Sequence, residues 1–283
     1  MFKKPYMTEV EDESSFLRCV HETCWNSVKD ESIGLQPDWY ICQNGIPPKG
    51  KRILCIGCAD GKDIAFLAKA NKVIGIDIIP EAIEMAKKYG INSQIFDVSQ
   101  GINFAEKSFD VIICKEVLEH LLDPAFVVKE IHRTLKDDGY AVISVPNHFC
   151  IGQRVRILLG KGLIWKSLLH DHTKSCNEWD YMHIRFFTYQ GFKKFLKYCG
   201  FNILSFQWDI GPFIISRPDL ITSRAKHLIN QGKFDTKKKI LAKLLIPLLK
   251  TFDLLLPRRV RSNLVKICPG LLTNHFYVHC RKY

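Results

Sequence analysis

From Lys51 onward the apolar positions fall into two alternating patterns. One is the short, nearly continuous apolar run: "KRILCIG", "KVIGIDI", "INSQIFDV", "FDVIICKE" and "YAVISVPN". Such runs suit strands buried on both faces of a sheet. The other is a longer stretch with apolar residues three or four positions apart: "DGKDIAFLAKA", "IPEAIEMAKKYG" and "DPAFVVKEIHRTLKDDG". These predict helices, the second with Pro80 near its first turn and Gly90 at its end, the third ending at Gly139. A further helix, "TYQGFKKFLKYCGF", precedes the strand "NILSFQW". "NHFYVHCRKY" closes the chain with period-two alternation. Strands that alternate with helices predict an α/β fold, a mostly parallel sheet with helices on both faces.

Two stretches depart from this rhythm. Residues 147–184 are rich in His, Trp and basic side chains and read as a lid or insertion. Residues 209–272 form a basic, apolar, helical insertion, in which "KKKILAKLLIPLLKTFDLLLPRRVR" is interrupted too often by Lys243, Pro247, Lys250 and Asp253 to predict a membrane span. An amphipathic helix lying on a membrane, or a helix pair packed on the domain, fits it better. Before the turn "NGIPPKG", residues 1–46 predict a helical cap with apolar positions at Phe16, Leu17, Val20, Cys24 and Val28. The expected organisation is therefore this cap, a core of 47–208 and 273–283, and the two insertions.

Charge sharpens that division. Residues 221–283 carry fourteen Lys and Arg against Asp235 and Asp253, which accounts for the whole net charge of +12. Such a concentration favours an anionic partner for this part, a membrane surface, a phosphorylated substrate or nucleic acid, with a solvated basic face as the alternative. The start, "MFKKPYMTEVEDESS", has no apolar core of a secretory signal, and the eleven cysteines are scattered, so reduced thiols and a cytoplasmic setting are expected. "CIGC" has no second pair and does not predict a four-ligand zinc site.

The chemistry gathers after the strands. Gly57 and Gly61 follow the first strand, where a backbone must approach a ligand closely. Asp77 ends the second strand, twenty residues after Gly57, where a carboxylate can accept from both ribose hydroxyls. Asp97 ends the third and suits either an adenine amino group or a turn cap. The glycine spacing is not that of a dinucleotide site, which disfavours a nicotinamide oxidoreductase. "KEVLEH" then sets Glu116, Glu119 and His120 at i, i+3 and i+4, one face if the stretch is helical.

Taken in order, "ILCIGCADG", "VIGIDIIPEAIEMAKK", "FDV", "SFDVIICKEVLEHLLDP", "LKDDGYAVISVPN" and "HIRFFTYQGFKKFLKYCGF" resemble the motifs of class I S-adenosylmethionine-dependent methyltransferases. The resemblance covers 50–208 and the last strand. It implies a Rossmann-like, seven-stranded sheet whose last strand is antiparallel. It implies S-adenosylmethionine as cofactor, with Gly57, Cys58, Ala59 and Gly61 at the methionine part. Asp77 and Ile78 would lie at the ribose, Asp97 and Val98 at the adenine, and Lys115 in the same pocket. Cys55 and Ala59 depart from the family's usual Asp and Gly.

Methyl transfer to a hydroxyl needs a proton acceptor. His120 suits that role, with Glu116 as its helper, because imidazole titrates near neutrality. Ubiquinone-pathway O-methyltransferases and small-RNA 2′-O-methyltransferases, which this chain also resembles, use Glu-x-x-Glu-His for a divalent metal. By that likeness Glu116, Glu119, His120 and His183 would hold Mg²⁺ or a similar ion. "HDH" at 170–172 is a weaker metal candidate. Three functions follow: O-methylation of a small-molecule, lipid- or glycan-linked acceptor, with the basic segment at an anionic membrane; metal-dependent RNA 2′-O-methylation; or a non-catalytic cofactor-binding interaction protein.

Overall fold

The computed structural model describes residues 41–42, 46–160, 183–208 and 258–283, with a few single positions between 236 and 251. Most of the predicted N-terminal cap, the later part of the 147–184 insertion with its "HDH", and most of 209–257 lie outside the described residues.

The core is one seven-stranded sheet, mostly parallel and antiparallel at its end as expected. Its strands are β1 (Arg52–Ile56), β2 (Lys72–Asp77), β3 (Asn92–Ile95), β4 (Phe109–Lys115), β5 (Leu135–Pro146), β6 (Phe201–Trp208) and β7 (His275–Lys282). Their order is β3-β2-β1-β4-β5-β7-β6. β1 pairs in parallel with β2 and with β4, and β5 extends the parallel run from β4. The order therefore reverses between β1 and β4, which opens a crevice at their carboxyl ends. The continuous apolar runs are explained by burial on both faces: Ile53, Leu54, Ile56, Val111, Ile112 and Cys114 are wholly buried. Each such Ile, Leu or Val contributes about 1.5–3 kcal/mol relative to an exposed side chain.

The helices bounded within the described residues are α1 (Ala65–Ala68), α2 (Pro80–Lys87), α3 (Pro124–Thr134), α4 (Ile151–Leu158), α5 (Tyr189–Tyr198), α6 (Arg258–Ile267) and α7 (Pro269–Leu272). α3 and α5 begin where the sequence marks them, with the side chains of Asp123 and Thr188 accepting from Phe126 N and Gly191 N.

Two boundaries differ from the sequence expectation. The helix after the glycine turn is only a 3₁₀ turn, Lys62–Ile64, followed by the single turn of α1. Asn71 stops it by donating to Leu67 O at 2.9 Å. The helix expected to run to Gly139 ends at Thr134. Leu135 is already paired with Phe109, both wholly buried, and "KDDG" is absorbed as an irregularity of β5. Tertiary pairing here overrides helical periodicity. Gly139 is required there, since a Cβ would lie 2.8 Å from Asp110 O.

The chain divides into two compact units. One comprises Met1–Pro146, Asp180–Gln207 and Tyr277–Tyr283, and the other Asn147–Trp179 and Trp208–Phe276. The first holds the crevice and every site residue considered below. Within the second, the Asn147 side chain donates to Thr273 O at 2.8 Å and to Gly270 O at 3.1 Å.

Candidate active site

The turn after β1 is a left-handed knot. Gly57, Ala59 and Gly61 have φ of 67°, 44° and 76°. At Gly57 a Cβ would fall 2.4 Å from Val117 Cγ2, and at Gly61 one would fall 3.0 Å from the Ala86 backbone. Both glycines are therefore required by packing as well as by conformation. Ala59 holds a left-handed conformation that costs a non-glycine residue about 1–2 kcal/mol.

That strain is held in place by Asp77. Its Oδ2 accepts from Ala59 N at 2.8 Å, and its Oδ1 from Ile79 N at 3.0 Å. The carboxylate thus couples the glycine turn to the end of β2, a role that the sequence reading missed. Each oxygen keeps a second lone pair, so a ribose diol can still be accepted. Ile78, beside it, is half-buried. Asp97 caps a 3₁₀ turn, Val98–Gln100, by accepting from Ser99 N at 2.9 Å, and Val98 is buried.

Cys55 and Cys58 are buried, and burial drives both thiols up, for Cys55 with Cys114 beside it and for Cys58 with Cys55. A neutral, enclosed thiol is neither a nucleophile nor a redox centre. Cys58 also sets the spacing of β2, because a Cβ on Gly75 would lie 2.8 Å from its sulfur.

The turn after β4 carries the second group. Lys115 Nζ donates to Asp63 Oδ2 across the crevice. Glu116 has φ 53°, and its Oε1 accepts from Ser144 Oγ at 2.7 Å. Only Leu118–His120 is helical, as one 3₁₀ turn. Glu116, Glu119 and His120 therefore do not share a helical face, because the left-handed residue breaks the period before the turn begins. The ligand atoms of Glu119, His120 and His183 do converge, all within 4.8 Å of one another. Among the described residues this is the group of donors so placed, and Glu116 is not in it.

Glu119 is wholly buried, with Oε1 3.8 Å from His120 Nε2. The imidazoles of His120 and His183 lie with centroids 4.8 Å apart. His183 is brought there by the backbone: Ile184 N and Arg185 N donate to Glu119 O at 2.9 and 3.1 Å, and Arg185 Nη2 donates to Leu122 O.

The donor set fits a neutral-headed nucleoside better than a dinucleotide. Carboxylates end β2 and β3, and the two lysines at the crevice, Lys62 and Lys115, are each paired with an aspartate. A dinucleotide's pyrophosphate is held by the N-terminus of the helix after the glycine turn, and here that place has only the 3₁₀ turn Lys62–Ile64 and the single turn of α1.

The profile described as Methyltransferase domain matches residues 42–205, more than half of the chain. The chain belongs to the methyltransferase domain family. Within that family it is 32% identical over 141 residues to a ubiquinone biosynthesis O-methyltransferase of Actinobacillus pleuropneumoniae serotype 7 (strain AP76). That match covers 46% of this chain and 59% of the relative. The counterpart of Pasteurella multocida (strain Pm70) is 28% identical over 163 residues, covering 51% and 67%. The chain thus spans about half to two thirds of the length of these curated relatives. A solved structure from Galdieria sulphuraria, named for sarcosine dimethylglycine methylation, aligns with a TM-score of 0.50 at 13% identity. It covers 100% of this chain and 91% of that one and supports the fold alone.

Three residues of this methyltransferase domain were not singled out in the sequence. Ser144 carries a signal: it is a polar position inside the apolar run "YAVISVP", near the carboxyl end of its strand. Asp63 carries one too, as an acid directly behind the glycine turn. Val117, which closes over Gly57, has none.

Proposed function

We propose that this chain transfers a methyl group from S-adenosylmethionine to a hydroxyl of a small-molecule, lipid- or glycan-linked acceptor. The observation that carries this reading is the pair of turns at one sheet edge. A glycine turn tied to Asp77 stands beside a turn that presents His120 against buried Glu119. When bound, the cofactor supplies an electrophilic methyl on a sulfonium.

The residues of the chain do the rest. Gly57 and Gly61 admit the ligand backbone-close, and Asp77 accepts from the ribose. His120 takes the hydroxyl proton, and the Glu119 carboxylate favours the cation that results. Glu116, fixed by Ser144, walls the same turn.

A second reading draws on the convergence of Glu119, His120 and His183. One carboxylate and two imidazoles would hold a divalent cation that lowers the hydroxyl's pKa. Two nitrogen ligands favour a first-row transition ion over Mg²⁺, which prefers an all-oxygen shell.

The basic segment 221–283 would bring the acceptor from an anionic membrane surface. Its helix α6 exposes Val260, Leu264 and Ile267 at i, i+4 and i+7, a single face. No described helix is long and apolar enough to cross a membrane.

The test is labelled methyl transfer to lipid, glycan and RNA fractions, with and without EDTA. Transfer to a lipid or glycan fraction that persists in EDTA supports the His120 mechanism. EDTA-sensitive transfer supports the metal. Labelling of RNA alone would replace the acceptor, and tight cofactor binding without any transfer would overturn the catalytic reading.

A further inference from the structure

The chain before residue 221 carries no net charge, yet one stretch of it is basic throughout. Residues 183–207 hold Arg185, Lys193, Lys194 and Lys197 and no Asp or Glu. Within that stretch Phe192 and Leu196 are wholly buried and fix one side of α5. The other side exposes Gln190, Lys194, Lys197 and Tyr198 at i, i+4, i+7 and i+8, a single face.

The cations of this face are not neutralised as others in the same unit are. Lys62, Lys107, Lys115 and Lys136 each meet an aspartate. Lys194 and Lys197, and the exposed Lys129 on α3, meet no carboxylate among the described residues. Two acids of α3 and its cap are already engaged. Asp123 accepts from Phe126 N, and Glu130 pairs with Arg133 at 2.7 Å. Lys129 instead lies over the Tyr198 ring, its Nζ 5.5 Å from the centroid, while Tyr198 stays 74% exposed.

Sign, residue type and ring together narrow the partner. Three uncompensated ammonium groups attract an anion. Lysine is depleted at protein interfaces, where arginine is enriched, so an acidic protein suits this face less well. None of its exposed residues is aliphatic, which leaves nothing to insert into a bilayer. An exposed ring bordered by point charges fits a flexible polyanion whose bases stack while its phosphates pair. We propose that this face of α5, with Lys129, docks a single-stranded nucleic acid. One base stacks on Tyr198, and phosphates meet Lys129, Lys194 and Lys197. The surface shares no residue with the methyl-transfer site, so it depends on neither the cofactor nor the acceptor.

The test is fluorescence anisotropy of a short labelled oligouridylate with the whole chain. The basic segment 221–283 also attracts polyanions, so the variants decide. Tyr198→Leu keeps an apolar side chain but removes the ring, and should weaken binding about tenfold. Tyr198→Phe keeps the ring and should stay within about twofold of wild type. Replacing Lys129, Lys194 and Lys197 together by alanine should reduce the slope of log affinity against log salt by about 2, roughly 0.7 for each phosphate.

Oligouridylate binding that ignores both the tyrosine and the lysines would belong to the basic segment alone and overturn the proposal. So would variants that release an oligoglutamate peptide or phosphatidylserine vesicles but not the oligonucleotide, an outcome that gives the face to an acidic protein or a membrane. Absence of binding by wild type at low salt would overturn it as well. Should Tyr198→Leu not fold, the salt slope of the lysine variant decides.

Discussion

The turns after β1 and β4 stand at adjacent strand ends and are held in opposite ways. The first is tied mainly to one neighbouring strand, β2, by backbone and by one carboxylate. Gly57 N and Cys58 N both donate to Ile76 O, Gly61 N returns to Cys58 O, and Asp77 locks Ala59. The second is assembled from distant parts of the chain. Glu116 is fixed by Ser144, and the Glu119 carbonyl is capped by Ile184 and Arg185, more than sixty residues on. A glycine-shaped turn is fixed by its adjacent strand, whereas a turn that places a buried carboxylate and two imidazoles draws partners from several distant elements. The first suits binding a common ligand, and the second suits positioning chemistry.

The sharpest way to break this contrast is to fill the first turn. Gly57→Val places its Cβ against Val117 at a left-handed φ. The expected outcome is loss of stability of about 3 kcal/mol, combining overpacking and the conformational cost, and more than about 100-fold weaker binding of S-adenosylhomocysteine. Melting and titration measure the two. Retained binding would show that the turn is not the cofactor cradle.

The second turn is probed by His120→Ala. Transfer should fall by about 10²–10⁴-fold while affinity for S-adenosylhomocysteine stays within about threefold. Equal losses in both would erase the division between the turns.

Ala59→Gly acts in the opposite sense. It relieves the left-handed alanine at the entropic cost of a glycine, and a net gain of about 0.5–1 kcal/mol is expected in denaturant unfolding. Destabilisation would mean that the Cβ of Ala59 contributes packing that outweighs its strain.

The smallest effect belongs to a pair outside both turns. The Arg133 guanidinium, against the opposing effect of burial and with help from Ile102 N, holds the Glu130 carboxyl below its ordinary value. Its contribution is complete above the unfolded glutamate's pKa and is lost as pH falls through the lower folded value. Glu130→Gln should flatten the acid limb of the stability profile and leave cofactor affinity unchanged.

The same contrast explains what the sequence disclosed. The sheet, the glycine turn and Asp77 were legible because strand runs, left-handed glycines and a strand-terminal acid are local signals. The face expected to unite Glu116, Glu119 and His120 was not found, since φ 53° at Glu116 has no signature in a non-glycine residue. His183 was legible only through the likeness to the metal-using methyltransferases. The clamp that delivers it, the Arg185 side chain on Leu122 O and the amides of Ile184 and Arg185 on Glu119 O, is long-range and not encoded by periodicity. The early end of α3 was hidden for the same reason, because the pairing of Leu135 with Phe109 decides it.

The most direct measurement is competitive titration of the wild-type chain with S-adenosylhomocysteine and with NADH. The account predicts a saturable S-adenosylhomocysteine isotherm that Asp77→Ala abolishes, and no binding of NADH. Preferential binding of NADH, or S-adenosylhomocysteine binding indifferent to Asp77, would contradict it.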